Sequence, residues 1–326
     1  MGGGHKTRFA ASDGGDARPN GLNHLRRYAG PVLALAAIST LAGFEAARSH
    51  GEARWRGADS VEAASLSESA DATTLGVEDV SRLAPQQQAE RLLDRAIHRE
   101  AGSLELIGKD VDAWRGRLQN TDRLFDLVHT ALNADDLKVR GAAVEIDLAA
   151  NNLSKSSESV ARLVRQLRDD PAGRPWALWR LGALGNRGVE PKIALAQLLT
   201  YVRDRDEETR YWAVEGLAIL GSNAAIDPLL DRFAHDPSSR VRQRAACNLA
   251  QAGMLTKEQR LATVPQLLNF FDDDALDSAT RGWVYGALRL ITGQALGNDA
   301  DAWRKWWANR DARHKQGSRR TGMLLA

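Results

Sequence analysis

A single cysteine, Cys247, stands among 326 residues. That excludes an internal disulfide and any zinc cluster built on cysteine pairs. Net charge of one sign is missing as well: 44 Lys and Arg meet 42 Asp and Glu, leaving +2, so no global field draws nucleic acid to the chain. The short motifs of several enzyme classes are absent, with no G-x-S-x-G elbow, phosphate loop or dinucleotide fingerprint. The seven histidines are scattered, and none sits at helical spacing from another, so no metal site is expected. The run "DDDALD", 272–277, lacks the alternation and glycine of a calcium loop and reads as a solvated turn capping the next helix. Hydrophobic content of 43% is that of a folded chain.

The amino end differs from the rest. Residues 1–27 are polar and glycine-rich, with Lys6, Arg8, Arg18, Arg26 and Arg27 against Asp13 and Asp16, the texture of a disordered tail. Then "YAGPVLALAAISTLAGF", Tyr28 to Phe44, runs seventeen residues without a charge. With Ala46 and Ala47 it is long enough to serve as a membrane span over 28–47. The basic excess ahead of it directs the amino end to the cytoplasm. The expected topology is therefore a single-pass signal anchor in the cell membrane with everything beyond it extracytoplasmic (periplasmic). A cleaved signal peptide and a buried soluble helix are the alternatives. Residues 48–84, rich in Ser, Ala, Asp and Glu, read as a flexible linker.

Beyond Pro85 the pattern turns helical. Leu92, Leu93, Ala96 and Ile97 share one helix face, and Pro85 suits a first helical position. A second helix is predicted over 109–118, so 85–120 forms an amino-terminal cap. From there the chain repeats. Arg140, Arg174, Arg210, Arg242 and Arg281 are 34, 36, 32 and 39 residues apart. Acidic turns precede each one. Eleven residues after the middle three stand Gly185, Gly221 and Gly253, with Asn151 and Gly293 near the same place in the outer two. Gly and Asn tolerate the left-handed conformation that ends a helix. Counting from each arginine, offsets 3, 4, 7 and 10 are apolar, as in Ala177, Leu178, Leu181 and Leu184, and again Ala213, Val214, Leu217 and Leu220. At about 100° per residue these form one stripe that a single helix pair cannot bury, which obliges the pairs to stack.

The pattern D-x-x-V/T-R-x-x-A-x-x-x-L-x-x-x-G is met by Asp206, Thr209, Arg210, Ala213, Leu217 and Gly221. It resembles the HEAT repeat, specifically the short bacterial HEAT-like (PBS-lyase-like) kind, over 121–293, with departures at Asp147 and Val284. The resemblance implies an all-α fold: a right-handed α-solenoid of about five helix pairs with capping helices at both ends. The "NDADAWRKWWANR" segment, capped by Asn298 or Asp299, is the expected carboxyl-terminal cap over 294–311, and the basic 312–326 stretch a disordered tail. Some HEAT-like proteins are enzymes. Those resembling deoxyhypusine hydroxylase carry His-Glu doublets, which are absent here; bilin lyases share the repeat alone. A repeat hydroxylase or lyase, or a cofactor-handling protein, is thus the alternative to a non-catalytic scaffold without a cofactor.

Offsets 2, 5 and 9 of the second helices lie opposite the core stripe and are expected to line the concave face. Trp176, Trp212 and Trp283 share offset 2, with Trp179 at offset 5, and Arg210, Arg242 and Arg244 stand close by in sequence. They form either a row of anchors for a protein or peptide partner or ring packing between neighbouring units. No nucleic acid and no small-molecule substrate is inferred, and membrane contact is assigned to the amino-terminal helix alone.

Overall fold

The structure, a computed structural model, describes residues 80–310. The expected tail, membrane span and most of the linker lie outside the described residues, as does the basic segment after 310. Among the described residues there is no strand, and no helix is long and apolar enough to cross a membrane.

Helices α1 (Pro85–Ile97) and α2 (Ser103–Trp114) form the first antiparallel pair, and α3 (Asp122–Leu132) with α4 (Leu137–Ala150) the second. Pro85 opens α1 as its composition suggests. Helix α2 begins six residues before the predicted Lys109, because Gly102 takes a left-handed φ of 79° and turns the chain at that point. It stops at Trp114, since Arg115 leaves helical geometry and Gly116 has φ 72°.

The regular array follows: α5 (Ser157–Asp169) with α6 (Arg174–Asn186), α7 (Pro191–Tyr201) with α8 (Glu207–Leu220), and α9 (Ile226–His235) with α10 (Ser239–Ala250). The last pair is split on its first side into α11 (Lys257–Ala262) and α12 (Val264–Asn269), followed by α13 (Ser278–Thr292). Successive second helices α6, α8, α10 and α13 pack side by side, the stack of an α-solenoid. The stripe at offsets 3, 4, 7 and 10 is its core. Ala177, Leu178, Leu181, Leu184, Ala213, Val214 and Leu217 are fully buried, and Leu220 nearly so.

Acidic residues cap three of the second helices: Asp136, Asp206 and Asp277 each accept a backbone N–H from the first turn, whereas α6 and α10 follow Gly173 and Ser238 without a side-chain cap. Asp277 belongs to the "DDDALD" run. Gly221 ends α8 in the left-handed conformation, φ 62°. Gly185 does not end α6, which continues to Asn186. It is a glycine for space, because a Cβ there would meet Leu220 Cδ1 at 2.6 Å. Its neighbour Gly182 plays the same part more severely: a Cβ would lie 2.2 Å from the Gly216 carbonyl oxygen of α8. Backbone therefore packs on backbone between α6 and α8. At the carboxyl end a helix over 300–310 is capped by Asp299, which accepts from Asp301 and Ala302. Its Trp303 is fully buried, and Arg304 reaches Asp272 at 2.7 Å. The end of the stack is thereby closed.

Candidate functional site

The repeat arginine is a structural latch. Each guanidinium turns back onto the turn that precedes its own helix. Arg174 donates to Leu167 O, Arg210 to Asp204 O and Arg205 O, Arg242 to Asp236 O, and Arg281 to Leu276 O and Asp273 O. These carbonyls terminate the first helix or its turn and have no helical donor, so a cation there satisfies them and suits the negative end of the helix dipole. Two latches also reach the next repeat. Arg210 makes a bidentate pair with Asp236 at 2.9 and 3.0 Å, while Arg242 donates to Thr280 and Asp277 at 3.0 and 2.6 Å. Arg210 and Arg242 were candidates for partner contact; the structure commits both to holding turns. Asp236 raises the pKa of Arg210 through these hydrogen bonds.

The tryptophans divide. Trp176 and Trp212, on adjacent helices, meet at 4.9 Å between ring centroids, and Tyr211 stands edge-on to Trp212 at 5.9 Å. Arg180 lies over Trp176 at 5.6 Å and Arg240 over Tyr211 at 4.1 Å. The Trp212 indole donates to Glu208, which Arg240 also engages. One row of three rings with a guanidinium at each end thus crosses the amino-terminal halves of α6, α8 and α10. Burial, assisted by Glu215, pushes the Tyr211 hydroxyl up to about 12. Trp176 and Trp283 are half-buried, but Trp179 and Trp212 are only 7% and 8% exposed. Of the two readings, anchors or ring packing, those two positions fit ring packing: their side chains fill space between helices. Trp283 sits on α13, away from the Trp176–Trp212 pair in the order of the stack.

Deeper on the same face, Arg244 pairs with Glu215 of α8, and Asn248 donates to the same carboxylate at 2.9 Å. Burial works against the Arg244 charge, but the Glu215 carboxylate more than offsets it and raises its pKa. Arg244 is thus bound within the stack. The Cys247 thiol beside it is pushed up by burial, which makes it an inert thiol.

The chain itself covers part of this face. Val139, Ala142, Ala143, Ile146 and Ala149 of α4 belong to an apolar core shared with α1, α2 and α3. On the opposite side of α4 lie Arg140, Gly141, Val144, Asp147 and Leu148. Arg140 donates to Gly253 O beyond α10 at 2.7 Å, across 113 residues. Asp147 meets Arg180 of α6 at 3.5 Å, and Glu145 meets Arg187 at 3.7 Å. A Cβ on Gly141 would touch the Arg187 guanidinium at 3.3 Å. Early residues of α4 thus meet the end of α6, and later ones its middle, so α4 runs antiparallel to α6. In a one-dimensional stack each unit meets only its neighbours; a contact reaching from α4 to the loop after α10 needs α4 laid across the second-helix face. Val144 and Leu148 are fully buried yet outside the α1–α4 core, consistent with that placement.

Residues 160–250 match the HEAT repeats family. This stretch is built of HEAT repeats. The matched stretch spans α5 to α10, the three regular pairs that carry the latches and the ring row. A search of curated proteins finds no match to the chain. Among the described residues no three His, Cys, Asp or Glu side chains are grouped so as to hold a metal ion.

Several participants in the HEAT face escaped the offset rule. Tyr211 and Arg240 lie at offsets one after and two before the repeat arginine, positions assigned to neither stripe. Arg180 is one residue past Trp179. The signal that could have found it was Asp147, an acid where the repeat pattern has leucine. Burial raises its pKa, and Arg180 opposes that rise. An acid so placed asks for a buried cationic partner.

Proposed function

We propose that this HEAT-repeat protein is a non-catalytic scaffold that binds a protein partner on the face formed by α6, α8, α10 and α13, held at the membrane by Tyr28 to Phe44. HEAT repeats generally mediate protein interactions. The observation that carries the reading is the ring row. Trp176, Tyr211, Trp212 and Arg240 come from three successive helices and meet within ring-contact distance. Trp, Tyr and Arg dominate the binding energy of protein interfaces: Trp and Tyr offer a large contact area and a polar handle at low entropic cost, and Arg a planar fork of donors. Within this reading Trp176 and Trp283 are direct contacts. Trp179, Trp212, Arg210, Arg242 and Arg244 set the shape and charge of the surface from within.

Co-purification from native membranes tests it. Paired chains carry Trp176→Ala with Trp283→Ala, or Ile193→Ala on α7, the exposed apolar side chain of the first-helix side. A protein retained by wild type and by the Ile193 variant but lost from the double variant is the expected result. Equal retention by all three chains contradicts the assignment of the face.

A further inference from the structure

Helix α4 is a poor candidate for a permanent member of the array. Its own pair and the preceding pair share an apolar core of their own, built on Leu92, Leu93, Ile107, Val111 and Leu124. Its apolar attachment to the array is limited to Val144 and Leu148, and the polar part to one guanidinium on a carbonyl and two ion pairs longer than a good charged hydrogen bond. The position that packs a leucine elsewhere in the repeat holds Asp147. Beside the same interface, His129 at the end of α3 has its Nε2 buried without a hydrogen-bond partner. A surface evolved only to stay closed gains nothing from a desolvated carboxylate and an unsatisfied imidazole nitrogen.

We infer that the second-helix face is a receptor for a single α-helix, that α4 is its built-in occupant, and that a partner helix of like chemistry displaces the α1–α4 unit. The occupant defines that chemistry. Taking Gly141 as the first position, the helix has a small residue there and a branched aliphatic at the fourth, Val144. A carboxylate stands at the seventh, Asp147, and leucine at the eighth, Leu148. The glycine lets the Arg187 guanidinium lie against the backbone, and the carboxylate meets Arg180, which also covers Trp176. Arg180 thereby joins the occupant's charge to the ring row. A basic residue one position before the glycine, as Arg140 is, binds the carbonyl of Gly253. The partner is therefore a short helix of small and aliphatic residues with a carboxylate placed two turns along, rather than an extended peptide.

The inference rests on the reading of this face as a binding surface, and its test uses a defined probe instead of the cellular partner. The full-length chain is titrated with a labelled synthetic peptide of residues 136–151, for wild type, for Asp147→Arg, and for Asp147→Arg with Arg180→Asp. Asp147→Arg sets two cations against each other, opens the interface, and is expected to tighten capture of the native-sequence peptide by about tenfold or more, since apparent affinity scales with the open fraction. The double variant restores attraction in cis and repels the acidic peptide, so capture falls again. The inference is overturned if Asp147→Arg keeps full helicity by circular dichroism and binds the peptide no better than wild type. It is equally overturned if Asp147→Arg loses helicity throughout, because α4 would then be integral to the array. A negative peptide result with partner co-purification intact removes self-occupancy alone; loss of the co-purification contrast removes the binding face itself.

Discussion

Replacing Arg210 with methionine keeps the apolar stem of the side chain while deleting its charged guanidinium. Four hydrogen bonds disappear: two to Asp236 at 2.9 and 3.0 Å, and two to the carbonyls of Asp204 and Arg205 at 3.1 and 3.0 Å. The Asp236 side chain is fully buried, so its carboxylate stays out of water with only Arg232 at 3.3 Å and the Ser238 amide at 2.9 Å to hold it. Removing one member of a buried pair costs about 3–5 kcal/mol, mostly the penalty of the charge left behind. At about 2–4 °C per kcal/mol for a folded region of this size, the midpoint falls by about 6–20 °C. Arg242→Met is the internal control. Its carboxylate partner Asp277 is half exposed and recovers water on losing the cation. That pair contributes about 0–1 kcal/mol, and the lost bonds to the Asp236 carbonyl and the Thr280 hydroxyl add about 0.5–1.5 kcal/mol each. Thermal melts followed by circular dichroism compare the two variants with wild type. Equal losses, or a larger loss for Arg242→Met, would refute the assignment of the large term to the stranded Asp236 charge.

Three further expectations concern the face and the topology. Trp212→Ala empties a packed site and costs about 3–5 kcal/mol, whereas Trp176→Ala, half-buried, costs distinctly less; urea unfolding of the two chains checks the order. Burial, then the nearby Arg244 charge, hold the pKa of His129 below its ordinary 6.5, against a smaller opposing effect of Asp126. The unfolded chain therefore takes the proton first. The His129 contribution is complete above about pH 6.5 and is lost as pH falls through the lowered folded value, so His129→Gln should flatten the acid side of the stability profile measured by urea unfolding. Reporter fusions after residue 84 should be active only on the exported side of the membrane; activity in the cytoplasm contradicts the proposed tether.

The regular part of the fold was legible because its rules are local. An acidic cap, an apolar stripe at fixed offsets and a glycine near the helix end each follow from the period of an α-helix, and α8 obeys all three. The function of the repeat arginine was not legible. Its carbonyl partners carry no side-chain signature, and Asp236 lies 26 residues away from Arg210. Gly185 was misread as a helix terminator because sequence does not separate a glycine needed for left-handed backbone from one needed for close approach. The docking of α4 is the least local feature, with partners at Arg180, Arg187 and Gly253. Only Asp147, an acid at a leucine position, marked it in advance, and the sign of that oddity was visible without its geometry.

The central claim is that a protein partner lies against the second-helix face of this array. A photoreactive amino acid placed in turn at Trp176, Trp283 and Ile193, irradiated in intact cells, reads that contact residue by residue. The account predicts one common adduct from positions 176 and 283 and none from 193. Adducts from 193 alone, or from no position on α6 and α13, would contradict it.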